Sequence, residues 1–570
     1  MAYHIDAGCV GCHYCRNECP AGAICYMGAG YQIDPEKCTG CGLCAKLCHL
    51  SLIHDMDAPG IAVPRHEKTC LDCDVLVIGA GGVGTGAAAR AAFLGMDVIL
   101  IEAAEKYGGG TYLAHGASFP ASRTVYERLG IEYDLDKMMG FWNFLGKGKI
   151  RDQEALRRNI MANGQFLDWF DSLDPEFCSV FKNVGKDRPF EFDMPEKHLN
   201  KRSVDDSIGP GWTGSWVTER LFETAVKYGA RYFNRTRARR FIMENGRVAG
   251  VLAEDPGGEV EIRAGAFVLA TGPYLMNDAI LNAIDPCYVR PGASILRLTV
   301  PTNVGDGHEM AAGIGAKVDV SYARTRGPVH HPYSYAVNKM MLDPENVYFS
   351  EDGDRFFEIK PSPPGLPGQR IVEKPDSPGQ RILHSRTGSC WLIMDSDQLQ
   401  MAGERLVSGI MPGFEEYLRS WREAVEEECA LEDRPARRAD SLTELSRKLG
   451  MVPGRLEKAV ERWNELCDAG EDTDMGKAPE HMRRIEKPPF YAFIGQNFDN
   501  GASLGGVEID GLFRVVDENG RPFDGLYCAG DCASYSPEEE RGPIGLVGGL
   551  GGSWASGYQM ANYIKEYLGK

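Results

Sequence analysis

No stretch of this 570-residue chain strings together the ~18 apolar residues that a membrane-spanning helix requires. The opening residues, Met-Ala-Tyr-His-Ile-Asp, lack the basic-then-apolar layout of a secretory leader, so a cytoplasmic location is expected. An excess of basic charge is missing too: 62 Lys and Arg stand against 81 Asp and Glu, a formal net charge of −19. Such a surface repels phosphate backbones and anionic lipid, which argues against nucleic-acid and membrane partners. Solubility is the simplest use of that charge. The length fits roughly three or four domains, with a sizeable core among them.

Cysteine, by contrast, is plentiful and unevenly placed. Of 18 in the chain, Cys9, Cys12, Cys15, Cys19, Cys25, Cys38, Cys41, Cys44 and Cys48 all precede residue 50. Apart from Cys25 they form two copies of C-x2-C-x2-C-x3-C, the first followed by Pro20 and the second by His49. The close spacings let one loop wrap three thiolates around an iron–sulfur cube, while the fourth thiolate is aimed at the other cube. Cys9, Cys12, Cys15 and Cys48 are therefore assigned to one [4Fe–4S] cluster. Cys38, Cys41, Cys44 and Cys19 are assigned to a second. A disulfide framework suits a secreted mini-protein rather than this chain, and zinc sites use C-x2-C pairs rather than two matched quartets. Residues 1–65 resemble the bacterial dicluster ferredoxins. His49, where the first copy has proline, costs no ligand, and Cys25 reads as a packed small residue.

A dinucleotide-binding unit follows. Asp74 to Ile78 is a short apolar run of the kind found in buried parallel strands. It leads into Gly79-Ala80-Gly81-Gly82-Val83-Gly84, an alanine-rich helix through Phe93, and a second strand from Asp97 to Ile101 that ends at Glu102. Gly79 permits the tight turn, Gly81 the approach of a pyrophosphate, and Gly84 the close packing of helix on strand. Glu102 stands where it can accept hydrogen bonds from an adenosine ribose.

Segments downstream indicate which dinucleotide. Glu105 to Thr111, including Lys106, Gly109, Gly110 and Thr111, would bring backbone amides towards a flavin pyrophosphate and ring. Ala270, Thr271 and Gly272 end another strand, and Gly530 and Asp531 end a late one, with Asp531 placed for the ribityl chain. On these residues, together with Gly305-Asp306-Gly307, Gly353-Asp354-Arg355-Phe356 and Pro489-Phe490-Tyr491-Ala492, residues 74–570 resemble the flavoprotein family of soluble fumarate reductases and 3-ketosteroid dehydrogenases. The stretch Ser441 to Gly470 resembles that family's mobile cap.

The resemblance implies an α/β fold: a Rossmann-like FAD-binding domain with an inserted α+β capping domain, plus a small ferredoxin-like α+β domain at the N-terminus. The expected boundaries are 1–65 for the ferredoxin-like part, 74–315 and 489–570 for the FAD-binding domain, and 316–488 for the cap. Helix-period patterns over 399–468 agree with a cap. The proline-rich stretch 359–380 resists regular structure and reads as a surface connection or a loop over the site. No histidine for a covalent flavin link stands at Gly110 or Thr111, so FAD is expected to be non-covalent.

Several expected dicarboxylate contacts are missing. A bound dicarboxylate calls for paired cationic partners. No Arg-rich segment follows His331-Pro332; Ala502 stands before Ser503-Leu504-Gly505-Gly506 in place of the family's histidine; and Val547 precedes Gly548-Gly549 without the family's arginine. Fumarate is therefore not the expected substrate. The segment Gly109 to Gly116 is closer to the ketosteroid dehydrogenase pattern, in which Tyr491 and Gly495 match the ketone-polarising pair. A phenol that donates to a carbonyl oxygen lowers the energy of the adjacent enolate. A buried aromatic beside a strand is the alternative for Tyr491. His330, His331, Tyr333 and Tyr335 cluster at the cap entry and are candidate proton donors, with a structural histidine as the alternative. Arg541 is a candidate substrate contact or part of a solvated charge run. Cys70-x2-Cys73 and Cys528-x3-Cys532 are either redox dithiols or buried small residues.

One dinucleotide unit and no second one for NAD(P)H leaves the clusters as the electron inlet, fed by a ferredoxin or another redox protein. The expected activity is reduction of an activated C=C bond in a small enone or enoate. The reverse dehydrogenation, or service as an electron-transfer subunit of a larger complex, are the alternatives. Exposed clusters suggest a low-oxygen, anaerobic setting.

Overall fold

The computed structural model describes residues 3–6, 9, 14–26, 31–55, 69–114, 117–118, 122–130, 132–145, 152–175, 182–183, 191–193, 213–290, 295–297, 299–320, 326–330, 337, 340–341, 343–359, 378–405, 421–430, 435–499, 505–534 and 550–570. Its largest sheet has eight strands. In spatial order six of them are Arg231–Phe233, Val98–Ile101, Thr69–Ile78, Gly258–Leu269, Arg247–Asp255 and Arg237–Glu244. Pro522–Cys528 joins in parallel beside the end of Gly258–Leu269, with Phe267 opposite Leu526, and carries Arg514–Val516 on its other side. The centre is parallel: Val75 pairs with Val98, and Leu76 with Phe267. Val75 to Ile78 and Val98 to Ile101 are buried throughout, as a central strand covered on both faces must be.

Two helices lie together on this sheet. Gly82–Phe93 leaves the glycine loop, and Leu550–Leu568 packs along it. A β-carbon at Gly86 would sit 2.6 Å from the Trp554 carbonyl oxygen, and one at Gly557 would sit 2.2 Å from that of Val83. Glycine at both places lets the two backbones touch, which fixes the helix start beneath the sheet's carboxyl edge.

The second sheet is built around Phe490–Asp499. Ile295–Arg297 pairs with it in parallel, and Arg326–Val329, Ser389–Met394 and Ala436–Ala439 pair in antiparallel, with Val347–Phe349 beyond Ser389–Met394. The strands at 295–297 and 490–499 place this sheet beyond the expected 316–488 segment at both ends, because its central strand is the one that carries Pro-Phe-Tyr-Ala. Helices Ser396–Arg405, Trp421–Ala430, Leu442–Lys448 and Arg455–Ala469 accompany it, in the region of helical periodicity. Residues 360–377 of the proline-rich stretch lie outside the described residues.

At the N-terminus, Tyr3–Ile5 pairs with Ile53–Asp55, and Ile24–Tyr26 with Tyr31–Ile33. Short helices Tyr14–Asn17 and Leu43–Leu47 carry Cys15 and Cys44, and a small core gathers Cys15, Ile24, Tyr31 and Ile53. No helix among the described residues is long and apolar enough to cross a membrane.

Candidate functional site

The glycine loop meets four other segments at one edge of the large sheet. Gly79, at φ 102°, is so close to the neighbouring strand end that a β-carbon would fall 2.4 Å from the Ala270 carbonyl oxygen. Gly84 leaves even less room: its β-carbon would lie 1.8 Å from the Gly79 carbonyl oxygen. The helix Gly82–Phe93 starts at Gly81 without a side-chain cap, so its first amides and its positive dipole end are available to an anion. Glu102 is buried and accepts from the Ala80 amide through Oε2 and from the Ala104 amide through Oε1, both at 2.8 Å. Burial raises its pKa, and those backbone hydrogen bonds oppose the rise.

The short helix Gly109–Tyr112 is tied to the loop by the Gly82 amide, which donates to Thr111 Oγ1 at 3.0 Å. Gly110 has open space above it, with Thr299 Oγ1 at 3.7 Å the nearest atom to a notional β-carbon. Gly272, at φ 70°, backs onto Asn303, and the Ala270 amide donates to the Ile78 carbonyl at 2.9 Å. The turn Gly530–Cys532 rests on the helix start, since a β-carbon at Gly530 would lie 2.7 Å from Val83 Cγ2. Gly79, Gly81, Gly82, Gly84, Glu102, Gly109, Gly110, Thr111, Ala270, Thr271, Gly272, Gly530 and half-buried Asp531 thus converge. An uncapped helix start, a backbone cradle that excludes β-carbons and an acid at the next strand end suit an adenine dinucleotide. Lys106, expected beside them, reaches the Cys48 carbonyl at 2.6 Å.

Cys19, Cys38, Cys41 and Cys44 line one small cavity together with Tyr3, Pro20, Ile24 and Ile33. Burial raises the Cys44 thiol, and Cys38, Cys41 and Cys19 push it the same way. Cys48, also raised by burial, feels Cys9. Cys12 lies outside the described residues. Four thiols around one cavity are the donor set of a [4Fe–4S] cube.

The family model described as "FAD binding domain" matches residues 74–545, and a "4Fe-4S binding domain" matches residues 31–48. The chain belongs to the flavoprotein family of fumarate reductases and 3-ketosteroid dehydrogenases. It is 26% identical to urocanate reductase of Eggerthella lenta over 83% of this chain and 72% of that one. It is 24% identical to NADH:acrylate oxidoreductase of Vibrio harveyi over 82% of this chain, spanning only 48% of that longer protein. Its fold matches the open conformation of a flavocytochrome c3 fumarate reductase, with a TM-score of 0.64, 21% identity, and coverage of 87% of this chain and 79% of that one. The protein is an FAD-dependent oxidoreductase acting on carbon–carbon double bonds, and it carries a 4Fe–4S motif.

The candidate catalytic residues fall on the second sheet or outside the described residues. Tyr491 is buried and its hydroxyl donates to Glu426 Oε1 at 2.6 Å. Burial and that carboxylate both raise its pKa. Gly495, four residues along the same strand, leaves room for its neighbours: a β-carbon would sit 2.6 Å from Cys390 Sγ and 2.8 Å from Pro328 Cβ. His330 is fully buried, with Nδ1 3.3 Å from the Ile494 carbonyl and Nε2 3.0 Å from Glu428 Oε1. Both ring nitrogens face oxygen atoms. His331, Tyr333, Tyr335 and Arg541 lie outside the described residues. Cys528 and Cys532 are free, buried thiols; Cys532 accepts from Thr271 Oγ1 at 3.3 Å, and burial raises Cys528. Burial also pushes Cys73 up to about 12, the opposite of an activated thiol.

Sequence reading missed Glu426 and Glu428. Both stand in an unremarked Glu426-Glu427-Glu428 run, and the fold brings them to Tyr491 and His330.

Proposed function

We propose that this protein reduces an activated C=C bond of an enoate- or enone-type substrate other than fumarate, with electrons delivered through two [4Fe–4S] clusters to non-covalent FAD. The observation that carries the reading is the presence, in one chain, of a dinucleotide cradle and a cavity lined by four cysteine thiols. Relatives named for urocanate and acrylate, both unsaturated acids, support a C=C substrate. When bound, FAD supplies hydride chemistry. The chain's own part is to bind and to place protons.

In this reading the uncapped helix start at Gly81 and Gly82 holds the pyrophosphate, Glu102 the adenosine ribose, and Asp531 the ribityl chain. Gly109 to Thr111 approach the ring system through backbone amides. Tyr491, aligned by Glu426, is the candidate donor to a substrate carbonyl, with Gly495 beside it. His330, hydrogen-bonded to Glu428, is a candidate proton donor. The replacements around Ala502 and Val547 remove cationic partners that a second carboxylate would need, which is why fumarate is set aside. A ferredoxin or another one-electron redox protein is the donor class.

Anaerobic reduction of the holoprotein followed by rapid mixing with acrylate, urocanate, a cyclic enone or fumarate tests the reading. Fast return of oxidised flavin absorbance with an enoate or enone, and not with fumarate, is the expected result. Reoxidation by fumarate alone, or by none of these compounds, refutes it.

A further inference from the structure

The N-terminal unit touches the flavin loop beside Cys48. Lys106, on the loop, donates to the carbonyl of Cys48 at 2.6 Å. The next residue, His49, lays its ring flat on Tyr112, with centroids 3.4 Å apart and planes 4° apart. Between them Gly108 takes φ 113°, and a β-carbon there would fall 2.8 Å from Tyr112 Cβ and 3.0 Å from His49 Nε2. Leu50 adds an apolar contact with the core cluster that contains Leu113. A continuous path of packed atoms therefore runs from Cys48 through His49 to Gly108 and the helix Gly109–Tyr112, and on to the Gly82 amide at Thr111.

The cavity of Cys19, Cys38, Cys41 and Cys44 is arranged differently. It is lined entirely from within residues 3–44, and Cys41 is exposed. Among the described residues, none of the flavin loop lines it.

We infer that the cluster held through Cys48 is the flavin-facing relay, tuned by the ammonium of Lys106, and that the cluster held by Cys19, Cys38, Cys41 and Cys44 is the outward-facing acceptor of donor electrons. This rests on the two-cluster reading above. The physical basis is charge: a reduced cluster carries one more negative charge than its oxidised form. A cation hydrogen-bonded at a ligand's own carbonyl favours the reduced form and raises that cluster's potential. Each electron then moves from a one-electron donor protein to the outer cluster, from there to the inner cluster and onward to the flavin, each giver being oxidised by one electron as its taker is reduced. Lys106 makes the inner cluster the better acceptor, so the order runs downhill. His49 and Tyr112 are positioning residues that hold the two parts in contact.

An EPR-monitored redox titration of the full-length holoprotein tests the assignment without turnover. Cys48→Ser and Cys19→Ser each remove the fourth ligand of one cluster and so identify its signal. Lys106→Gln keeps a donor at that position and removes its charge. The expected result is a lower midpoint potential for the signal that Cys48→Ser alters and an unmoved potential for the signal that Cys19→Ser alters. A shift in the Cys19-dependent signal, an equal shift in both, or no shift overturns the inference. Should Cys48→Ser fail to fold, Cys19→Ser and Lys106→Gln together still tell which signal moved. Iron content and spectra for a single cluster in the unaltered protein would instead overturn the two-cluster reading, a result distinct from a shift at the wrong signal.

Discussion

The two large sheets hold themselves together by different physics. The dinucleotide sheet relies on apolar strands buried on both faces and on glycines that let backbones touch, and its buried acid, Glu102, is matched by backbone amides. The second sheet relies on ion pairs as well. Arg355 donates to Asp472 Oδ1 at 2.9 Å and to Glu358 Oε1 at 3.0 Å, with its guanidinium 4.5 Å above the Trp463 ring. The carboxylates of Glu358 and Asp472 are almost wholly buried. The first arrangement presents a rigid backbone cradle; the second makes its sheet sensitive to charge.

Breaking the ion network should have the largest effect. Arg355→Ala leaves buried Asp472 without its cation and Glu358 with Lys477 alone, and is expected to cost about 3–5 kcal/mol in chemical denaturation. If the second sheet unfolds separately, hydrogen exchange will show loss of protection in Ser389–Met394 while Thr69–Ile78 stays protected.

Acid should separate the two regions next. His308, beside the dinucleotide sheet, has both ring nitrogens buried without partners, and burial lowers its pKa to about 4. The neutral ring is favoured in the fold, so its stabilising share is present above about pH 6.5 and is lost as pH falls towards 4. That share is on the order of 3 kcal/mol. His308→Leu should therefore flatten the stability profile between those pH values relative to the unaltered protein; parallel profiles would refute it. In the second sheet burial works to raise Asp472, but the Arg355 hydrogen bonds and backbone amides hold it well below the usual carboxylate range. Its contribution persists at pH values above about 4 and disappears only in stronger acid.

Gly557→Ala probes the helix contact that fixes the cradle. The added carbon meets the Val83 carbonyl at 2.2 Å, and overpacking of this kind costs about 1–3 kcal/mol. FAD retention after gel filtration should fall along with the melting temperature. The smallest effect is a helix cap next to the second sheet. Ser441 Oγ accepts from the Glu444 amide at 3.2 Å, and Ser441→Ala should cost about 1 kcal/mol without changing flavin content.

What sequence revealed follows the same division. The glycine loop, Glu102 at the second strand's end, and the cysteine copies are legible because their chemistry demands fixed local spacing. The strand end at Phe267 to Leu269 and the strand leading to Gly530 are legible for the same reason, although the first strand begins at Gly258 and stops before Ala270. Arg355 in Gly353-Asp354-Arg355-Phe356 carried the family resemblance, yet its partner Asp472 lies 117 residues away, and no local pattern announces that pairing. His49 read as a harmless replacement of proline, and only the packing against Tyr112 and Gly108 gives it a role. The extent of the second sheet was hidden as well, since strand pairing of Ile295–Arg297 with Phe490–Asp499 is a long-range property of the fold.

The central claim is that electrons reach a C=C-reducing flavin through two N-terminal clusters. An anaerobic reductive titration of the holoprotein, followed optically and by EPR, tests it most directly. The account predicts uptake of about four electrons per chain, two by the flavin and one by each cluster, and release of all of them to an enoate or enone. Uptake that stops at the flavin's two, or reduced clusters that never discharge when the double-bond substrate is added, would contradict it.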